Sequence, residues 1–277
     1  KSLVFVDAIS NAGQTRYRLL ETIREYALEK LIGSGEESIV RDHHMQFFSR
    51  LAIEAEPKLL GTDTIIWVNR LNAEHANLLA AIHWSLKSKN AGFALQIVGA
   101  LVQGDAWHTS EGAERSLEVV GSPLTSQRTP LRVKALNTAG VMQWFQGNHA
   151  RARALLEEAV AIGKDSETKE GYIWALANLG SVVAAEGNYS TAQAYLVESL
   201  AEARKLGAPG TAAMGFSSAF LGDVFIFKGE REQARQAYEE AVICLRELNN
   251  KNFLAYPLRR LAEFALERGE YEKTTAL

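Results

Sequence analysis

The chain has 277 residues, of which 47% are hydrophobic and 23% charged, a composition typical of globular proteins. A net charge of −3 gives no bulk attraction for nucleic acid, so we expect no direct contact between this chain and nucleic acid. No uninterrupted apolar run reaches the roughly 18 residues that span a bilayer, so we expect no membrane segment. The single cysteine, Cys244, predicts a buried structural thiol and fits a reducing cytoplasm, the location we expect.

The N-terminal segment, residues 1–33, predicts a β-hairpin followed by a helix. Residues 1–7 alternate and are rich in β-branched and aromatic side chains, residues 11–13 form a turn signal, and residues 16–20 predict a second strand. The following helix, Glu21–Ile32, ends at a glycine-rich stretch. Its apolar side chains share one face: Ile23, Tyr26, Ala27 and Leu31.

Residues 36–120 predict a helical linker that leads into a degenerate repeat. We expect Pro57 to end the first linker helix, because proline lacks the backbone N–H that a helix interior needs. Along that helix the apolar period selects one stripe of side chains: Ile39, Val40, His43, Phe47, Leu51 and Ala55.

The end of the linker has the pattern of an eroded helix pair. Residues 91–102 and 111–120 predict the two helices, and the turn between them lies near Trp107 and His108. Residues 121–130 are the clearest loop in the chain, so we expect the linker to end there and the repeats to begin at residue 131.

Glycine-centred blocks recur through residues 131–277 at nearly constant spacing. Four glycines mark the blocks, the fourth block being weaker: Gly147, Gly187, Gly229 and Gly269. They lie 40, 42 and 40 residues apart, and a fixed period in this range is the signature of a repeat architecture. Each block predicts a helix, a tight turn and a second helix, because glycine adopts a positive φ at low cost.

Small residues recur on both sides of each turn glycine. One set lies on the first helix of each block: Gly140, Gly180, Gly222 and Ala262. The other set lies on the second helix: Ala152, Ala192, Ala234 and Thr274. Two helices that cross at close range need small residues at the contact, so these positions predict tight packing between the paired helices.

The blocks resemble the tetratricopeptide repeat. The resemblance rests on the paired small residues, on the leucines at 179, 221 and 261, and on Tyr189 and Tyr271 two residues after the turn glycine. It implies an all-α, right-handed solenoid of helix pairs. The period of about 40 exceeds the usual 34 residues, and the terminal proline of the usual repeat is missing, which leaves the angles between repeats open.

Three stretches are similar to bacterial signal-transduction ATPases of the STAND class, large regulators with an NB-ARC-like nucleotide-binding module. Residues 1–4 with residues 16–27 (RYRLLETIREYA) resemble the end of their winged-helix domain. Residues 67–81 (WVNRLNAEHANLLAA) and 110–112 (SEG) are similar to the same proteins. The resemblance implies that residues 1–33 are a winged-helix remnant, that an ATP/ADP switch precedes it, and that the repeats sense a ligand or partner.

The chain does not begin with Met, and it ends partway along a repeat helix, so we interpret it as a fragment of a longer protein whose fourth repeat is truncated. An uncapped solenoid exposes apolar surface. We therefore expect self-association through the C-terminal end, where Leu261, Phe264 and Ala265 lie.

No catalytic or metal-binding arrangement is predicted. The pairs His43/His44 and His75/His83 lack the i, i+4 spacing with a carboxylate that zinc sites use. The sequence has no G-x-x-x-x-G-K-[ST] motif, so we expect ATP or ADP only in the missing upstream domain and no enzyme activity in this chain. The parent protein is expected to be an ATPase because of the resemblance.

The resemblance also implies a binding groove, because certain positions of each first helix point inward in the usual tetratricopeptide register. Mapped here, they give an aromatic-rich surface with polar groups, suited to a peptide or a small molecule. The groove residues are Lys134, Asn137, Trp144, Phe145, Trp174, Ser181, Phe216, Asp223, Phe227, Tyr256, Arg259 and Glu263. The alternative is that the aromatic members form packing between repeats.

Two functions follow as hypotheses. The first is a protein- or ligand-binding sensor module of a cytoplasmic STAND-type regulator of transcription, whose partners are its own upstream ATPase module and a peptide or small-molecule effector. The second is a constitutive protein–protein scaffold with no small-molecule effector.

Overall fold

The computed structural model describes residues 4–7, 16–101, 110–249 and 251–269. Within these residues the chain forms one two-stranded hairpin and thirteen α-helices. The prediction of an all-α fold of repeated helix pairs with a small N-terminal hairpin is therefore confirmed.

The hairpin consists of β1 (Val4–Asp7) and β2 (Arg16–Leu19), which pair antiparallel with Val4 opposite Leu19. The predicted turn at residues 11–13 lies outside the described residues. Six helices follow: α1 (Glu21–Ser34), α2 (Glu37–Lys58), α3 (Thr64–Ala73), α4 (His75–Lys87), α5 (Gly92–Ala100) and α6 (Ser110–Gly121). The turn expected near Trp107, between α5 and α6, also lies outside the described residues.

The predicted apolar face of α1 is not buried. None of its residues is buried, and Tyr26 is 57% exposed. The main contact of α1 in the described residues is with α2, so no helix covers the apolar face that the periodicity selects. Amphipathic periodicity predicts which face of a helix another element can pack against. On α1 no described helix packs against that face.

The predicted stripe of α2 is wrong in its first half. Ile39, Val40 and Phe47 are exposed, whereas the buried side follows a row rotated around the helix: Met45, Phe48, Leu51, Ala52 and Ala55. This row packs against α4 and α5. Pro57 lies in the last turn of α2, which continues to Lys58 rather than ending at the proline.

A loop with a 3₁₀ turn at Pro123–Thr125 leads to the repeats, and Thr129 caps the first repeat helix by accepting a hydrogen bond from the backbone N–H of Arg132. The repeat helices are α7 (Pro130–Phe145), α8 (His149–Gly163), α9 (Glu170–Ala185), α10 (Tyr189–Leu206), α11 (Thr211–Phe227), α12 (Arg231–Glu247) and α13 (Lys251–Glu267).

The turn between paired helices has the geometry that the glycine spacing predicts. Gly187 has a φ of 85°, in the left-handed region, and the three other turn glycines have φ between 73° and 79°. The next backbone N–H, that of Asn188, donates to the carbonyl of Val183 at 3.1 Å, and Asn148 does the same to Gln143 at 2.9 Å. These bonds satisfy carbonyls at the end of the first helix, as in a Schellman cap.

The small residues of the first three blocks lie where the paired helices cross, as predicted, whereas Tyr271 and Thr274 of the fourth block lie outside the described residues. A Cβ added to Gly180 would meet Cγ of Leu196 at 2.7 Å and the backbone oxygen of Ala192 at 3.3 Å. Gly140 has the same surroundings one repeat earlier, and at Gly222 the added atom would meet the ring of Tyr238 at 2.5 Å. The helices therefore approach to a distance that leaves no room for a side chain.

The repeat helices form two layers. The first helices α7, α9 and α11 pack side by side, while α8 packs on α7 and α9, and α10 on α9 and α11. The linker joins this arrangement because α5 packs against α7 and because one apolar core runs from Met45 to Ala175. We call the surface of α5, α7, α9 and α11 the first-helix face.

The expectation that apolar residues are exposed at the C-terminal end is wrong for helix α13. Leu261, Phe264 and Ala265 are buried rather than exposed, because α13 packs on α12 and brings Phe264 to Tyr238, with ring centroids 6.3 Å apart. These three residues therefore do not supply the apolar surface that was expected to drive self-association.

Among the described residues one segment, Ala208–Phe227, is long and apolar enough on average to cross a membrane, although it contains no uninterrupted apolar run of that length. Of its apolar window, 61% is buried inside the protein, because α11 packs between α9, α10 and α12. Cys244 on α12 is buried, as predicted, and burial raises the pKa of its thiol.

Candidate functional site

A cavity of about 400 Å³ lies on the first-helix face, between the C-terminal end of α2 and the beginnings of α9 and α11. Its polar lining residues are Glu56, Lys134, Asn137 and Glu170. The rest of the wall is apolar or glycine: Pro57, Leu60, Gly99, Gly171, Trp174, Ala208, Pro209, Ala212 and Leu248. The structure thus brings three of the predicted groove residues, Lys134, Asn137 and Trp174, to one concave site.

Lys134 lies at the polar end of the cavity between two carboxylates. Its Nζ is 2.7 Å from Oε1 of Glu56 and 3.2 Å from Oε2 of Glu170. Burial by itself would lower the pKa of Lys134, but the two carboxylates outweigh burial and raise the pKa above its usual value. The lysine is therefore charged, and the formal charges of Lys134, Glu56 and Glu170 sum to −1.

Asn137 is 3% exposed and is held by a neighbouring repeat. Its Oδ1 accepts a hydrogen bond from Nδ2 of Asn178 at 2.9 Å, which links α7 to α9. One helical turn separates Asn137 from Lys134, so the two side chains fall on the same side of α7. A small portion of Asn137 remains on the cavity wall.

An aromatic row continues from the cavity along the first helices. The ring of Trp174 meets Phe216 edge-on, with centroids 5.2 Å apart, and Phe216 meets Phe253 at 4.6 Å. Trp174 and Phe216 are half-buried. Both alternatives for the aromatic residues therefore hold in part: Trp174 packs against the next repeat and also presents surface to the cavity.

Asp223 and Tyr256 bind each other instead of facing a ligand site. Oδ1 of Asp223 accepts hydrogen bonds from the hydroxyls of Tyr238 at 2.7 Å and Tyr256 at 2.6 Å, and from Arg260 at 3.1 Å. Burial and the bonds to Asp223 raise the pKa of Tyr256 to about 12. This cluster ties α11, α12 and α13 together.

The predicted groove residues at the ends of the first helices lie beside the turns, away from the cavity lining. Trp144 packs edge-on against His149 with centroids 4.5 Å apart, and Phe227 stacks on Tyr189 at 5.2 Å. Phe145 is 60% exposed and Phe227 57% exposed. We call the exposed aromatic residues beside these turns, Phe145 and Phe227 with their neighbours Trp144 and Tyr189, the turn-edge surface.

The remaining predicted residues, Ser181, Arg259 and Glu263, do not line the cavity. Arg259 and Glu263 are exposed on α13 and form an ion pair of 2.5 Å, and Ser181 is half-buried on α9. The twelve predicted residues are therefore distributed over several places rather than one groove.

Sequence reasoning missed the part of the cavity that α2 contributes. Glu56, Pro57 and Leu60 come from the linker, which has no repeat register from which inward positions could be read. Pro209 was also missed, because it lies in the 3₁₀ turn that precedes α11 and the repeat register gives inward positions only on the first helices. An acidic residue followed by proline at a helix end carries no distinctive signal.

The described residues contain no group of three His, Cys, Asp or Glu side chains arranged to hold a metal ion. Instead, His44 and His75, which belong to the histidine pairs considered in the sequence analysis, each contact one polar side chain. Nε2 of His44 lies 3.4 Å from Oδ1 of Asn77, and Nε2 of His75 lies 3.3 Å from Oε2 of Glu111. The arrangement of charged and apolar groups in the cavity is suited to non-covalent binding.

Comparison with known proteins places these features in context. Residues 131–205 match the tetratricopeptide repeat family. Three proteins named "putative HTH-type transcriptional regulator", from Mycobacterium bovis and two strains of Mycobacterium tuberculosis, are 31% identical over 191 residues. The match covers 65% of this chain but 21% of each relative, so the chain spans about a fifth of their length. The chain therefore has an all-α, tetratricopeptide-like repeat fold and is similar to part of these regulators.

Proposed function

We propose that this chain is the binding and sensing module of a larger regulator of transcription of the STAND type. The observation that carries the proposal is the cavity on the first-helix face, which joins a mixed set of charged groups to an apolar wall. Cavities of this composition are the usual form of ligand sites. The regulator names of the similar proteins support the transcriptional role.

The mechanism is a shift between two states of the parent protein. The cavity is built from the linker helix α2 and three repeat helices, so a ligand in it contacts both parts at once. A ligand that binds one relative arrangement of these parts more tightly favours that arrangement in proportion to its differential affinity. ATP or ADP belongs to the upstream module, and the chain acts on that module by docking.

The N-terminal unit supplies the surface for docking on the ATPase module. Tyr17 is 71% exposed, and Leu20, Tyr26 and Ile32 are exposed on the same short stretch of chain. Exposed apolar side chains of this kind are typical of surfaces that contact another protein or domain. The resemblance of residues 16–27 to the end of a winged-helix domain also supports a position next to that module.

A constitutive scaffold is the second candidate, and the turn-edge surface favours it. Phe145 and Phe227 expose aromatic rings that a small cavity ligand would not cover. Aromatic residues are enriched at protein interfaces and supply much of their binding energy. A scaffold would bind a partner protein at this surface and would not respond to a small molecule.

Sequencing the complete gene and deleting it in the source organism tests the proposal. We expect a P-loop motif upstream of the winged-helix stretch and an output domain in the same reading frame. We also expect deletion to change a defined set of transcripts and the intact gene to restore them. A gene without a P-loop, or a deletion without any effect on transcripts, would exclude the function as a STAND-type regulator and favour the constitutive scaffold.

A further inference from the structure

The charge in the cavity selects the chemistry of its ligand. Glu56 and Glu170 each bring one negative charge and Lys134 one positive charge, so the lining is acidic by one unit. Each carboxylate has about four acceptor positions, and Lys134 uses one on each. The site therefore has more free acceptors than free donors.

Glu170 is the group best placed to receive a ligand. Its side chain is 53% exposed, whereas that of Glu56 is 28% exposed and makes the shorter contact with Lys134. Glu170 is the first residue of α9, and its carboxylate balances the positive end of that helix. The helix end consequently does not turn the cavity into an anion site.

Apolar surface lines the same cavity as these charges. Trp174 lies one helical turn after Glu170 on α9, and Pro57, Pro209 and Leu248 line the same cavity. An indole ring attracts a cation to its face in addition to covering apolar groups. The wall therefore accepts an apolar body that carries a positive group.

The size of the cavity limits the occupant to a small molecule. About 400 Å³ is near the lower end of the range of roughly 300–1,000 Å³ that is usual for drug-sized ligands. A folded partner or a long peptide would need a continuous groove, but the predicted residues beyond the aromatic row bind one another or lie at the turns.

We infer that the cavity binds a small organic cation, a protonated primary amine on an aryl or short alkyl body. The ammonium group contacts the exposed carboxylate of Glu170, beside the ion pair between Lys134 and Glu56, and the body packs against Trp174 and the proline wall. This inference rests on the proposed function and names the class of its effector.

Calorimetric titration of the full 277-residue chain with matched probes tests the inference. The probes are 2-phenylethylammonium, the neutral 2-phenylethanol and the anionic 3-phenylpropionate. We expect saturable binding of the amine at least tenfold tighter than that of the alcohol, and no binding of the carboxylate. Equal affinity for amine and alcohol, preference for the carboxylate, or no binding of any probe up to about ten millimolar would overturn it.

Two variants and one control variant locate the binding. Glu170→Gln should weaken amine binding at least fivefold and leave alcohol binding unchanged, while Glu114→Gln, the same change on an exposed position of α6, should have no effect. The double variant Glu56→Gln/Glu170→Gln should prefer the carboxylate probe, because Lys134 is then the only ionised group of the three. If the double variant fails to fold, as circular dichroism would show, Glu170→Gln alone decides, because Lys134 keeps its bond to Glu56. Full amine affinity in Glu170→Gln would contradict the inference.

A lysine peptide probe distinguishes two sources of the amine, a free small molecule and the lysine side chain of a peptide. Acetyl-Leu-Lys-Leu-amide should bind more weakly than 2-phenylethylammonium, and tighter binding of the peptide would overturn the small-molecule assignment. The gene deletion described above tests the regulator independently. Amine binding without a transcript effect would support the binding site and contradict the regulatory function. A transcript effect without amine binding would contradict only the ligand class.

Discussion

Nζ of Lys134 lies 2.7 Å from Oε1 of Glu56, which joins the first repeat helix to a linker helix 78 residues earlier in the chain. The same ammonium group reaches Glu170 on the second repeat at 3.2 Å. One charged group therefore links α2, α7 and α9 at the edge of the cavity. A ligand that contacts either carboxylate acts on the junction between linker and repeats.

Lys134→Met should destabilise the fold by about 1–2 kcal/mol, because it leaves two nearby carboxylates without their cation in a half-buried position. Urea unfolding measures the change in the free energy of unfolding. The matched control is Lys205→Met, which removes an exposed lysine paired with Glu202 and should change that free energy by no more than about 0.5 kcal/mol. Equal effects of the two changes would show that the junction contributes nothing.

Gly180→Ala should destabilise the protein by about 1–2 kcal/mol through overpacking. The added methyl group would lie 2.7 Å from Cγ of Leu196, closer than side chains pack. Gly92→Ala on α5 is the control, since an added Cβ there meets nothing within 4 Å. Chemical denaturation compares the two. If Gly180→Ala leaves the free energy of unfolding unchanged, the paired helices can move apart without a loss of stability.

Trp174→Ala should cost about 2 kcal/mol of stability and weaken ligand binding as well, since the ring is half-buried against Phe216 and also lines the cavity. Trp67→Ala on α3, where the ring is 8% exposed, should cost about 3–5 kcal/mol and leave binding unchanged in molecules that remain folded. Melting temperatures and titrations of both variants provide the comparison. A loss at position 174 as large as at position 67, with binding unchanged, would assign Trp174 to packing alone.

The stability of the protein should depend on pH through His44. Burial lowers the pKa of His44, so as the pH falls the unfolded chain takes up this proton before the folded protein does. The free energy of unfolding should therefore decrease as the pH falls below about 6.5, the usual histidine value, and His44 should have no effect well above it. His44→Gln should reduce this decrease. His43→Gln, at an exposed position on the same helix, should leave it unchanged, and identical curves for His44→Gln and wild type would refute the assignment.

The repeat architecture could be predicted from the sequence because its determinants are local. Gly147 and its equivalents adopt a positive φ that few other residues accept, and Gly180 occupies a contact where no side chain fits. Such requirements leave a glycine at the turn of each copy and a small residue at the helix contact, at nearly constant spacing. The turn geometry and the helix pairing follow directly from that spacing.

The cavity could be predicted only in part, because four of its thirteen lining residues come from outside the repeats. Lys134 and Trp174 follow from the repeat register, whereas Glu56 depends on how the non-repeated helix α2 lies against α7. The burial of α2 shows the same difficulty. Ile39 and Phe47 match a helical period with Leu51, yet they are exposed because no described helix covers them. Periodicity gives the candidates for a buried face, and tertiary contacts choose among them.

The most direct test of the central claim, that the cavity is the sensing site of a regulator, is to measure the transcript response of the source organism with Glu170→Gln introduced into the intact gene. We expect the transcripts altered by deleting the gene to lose their response in this variant, with the protein present at wild-type abundance and Glu114→Gln behaving as wild type. If deletion alters those transcripts but Glu170→Gln leaves the response unchanged, the cavity is not the sensing site.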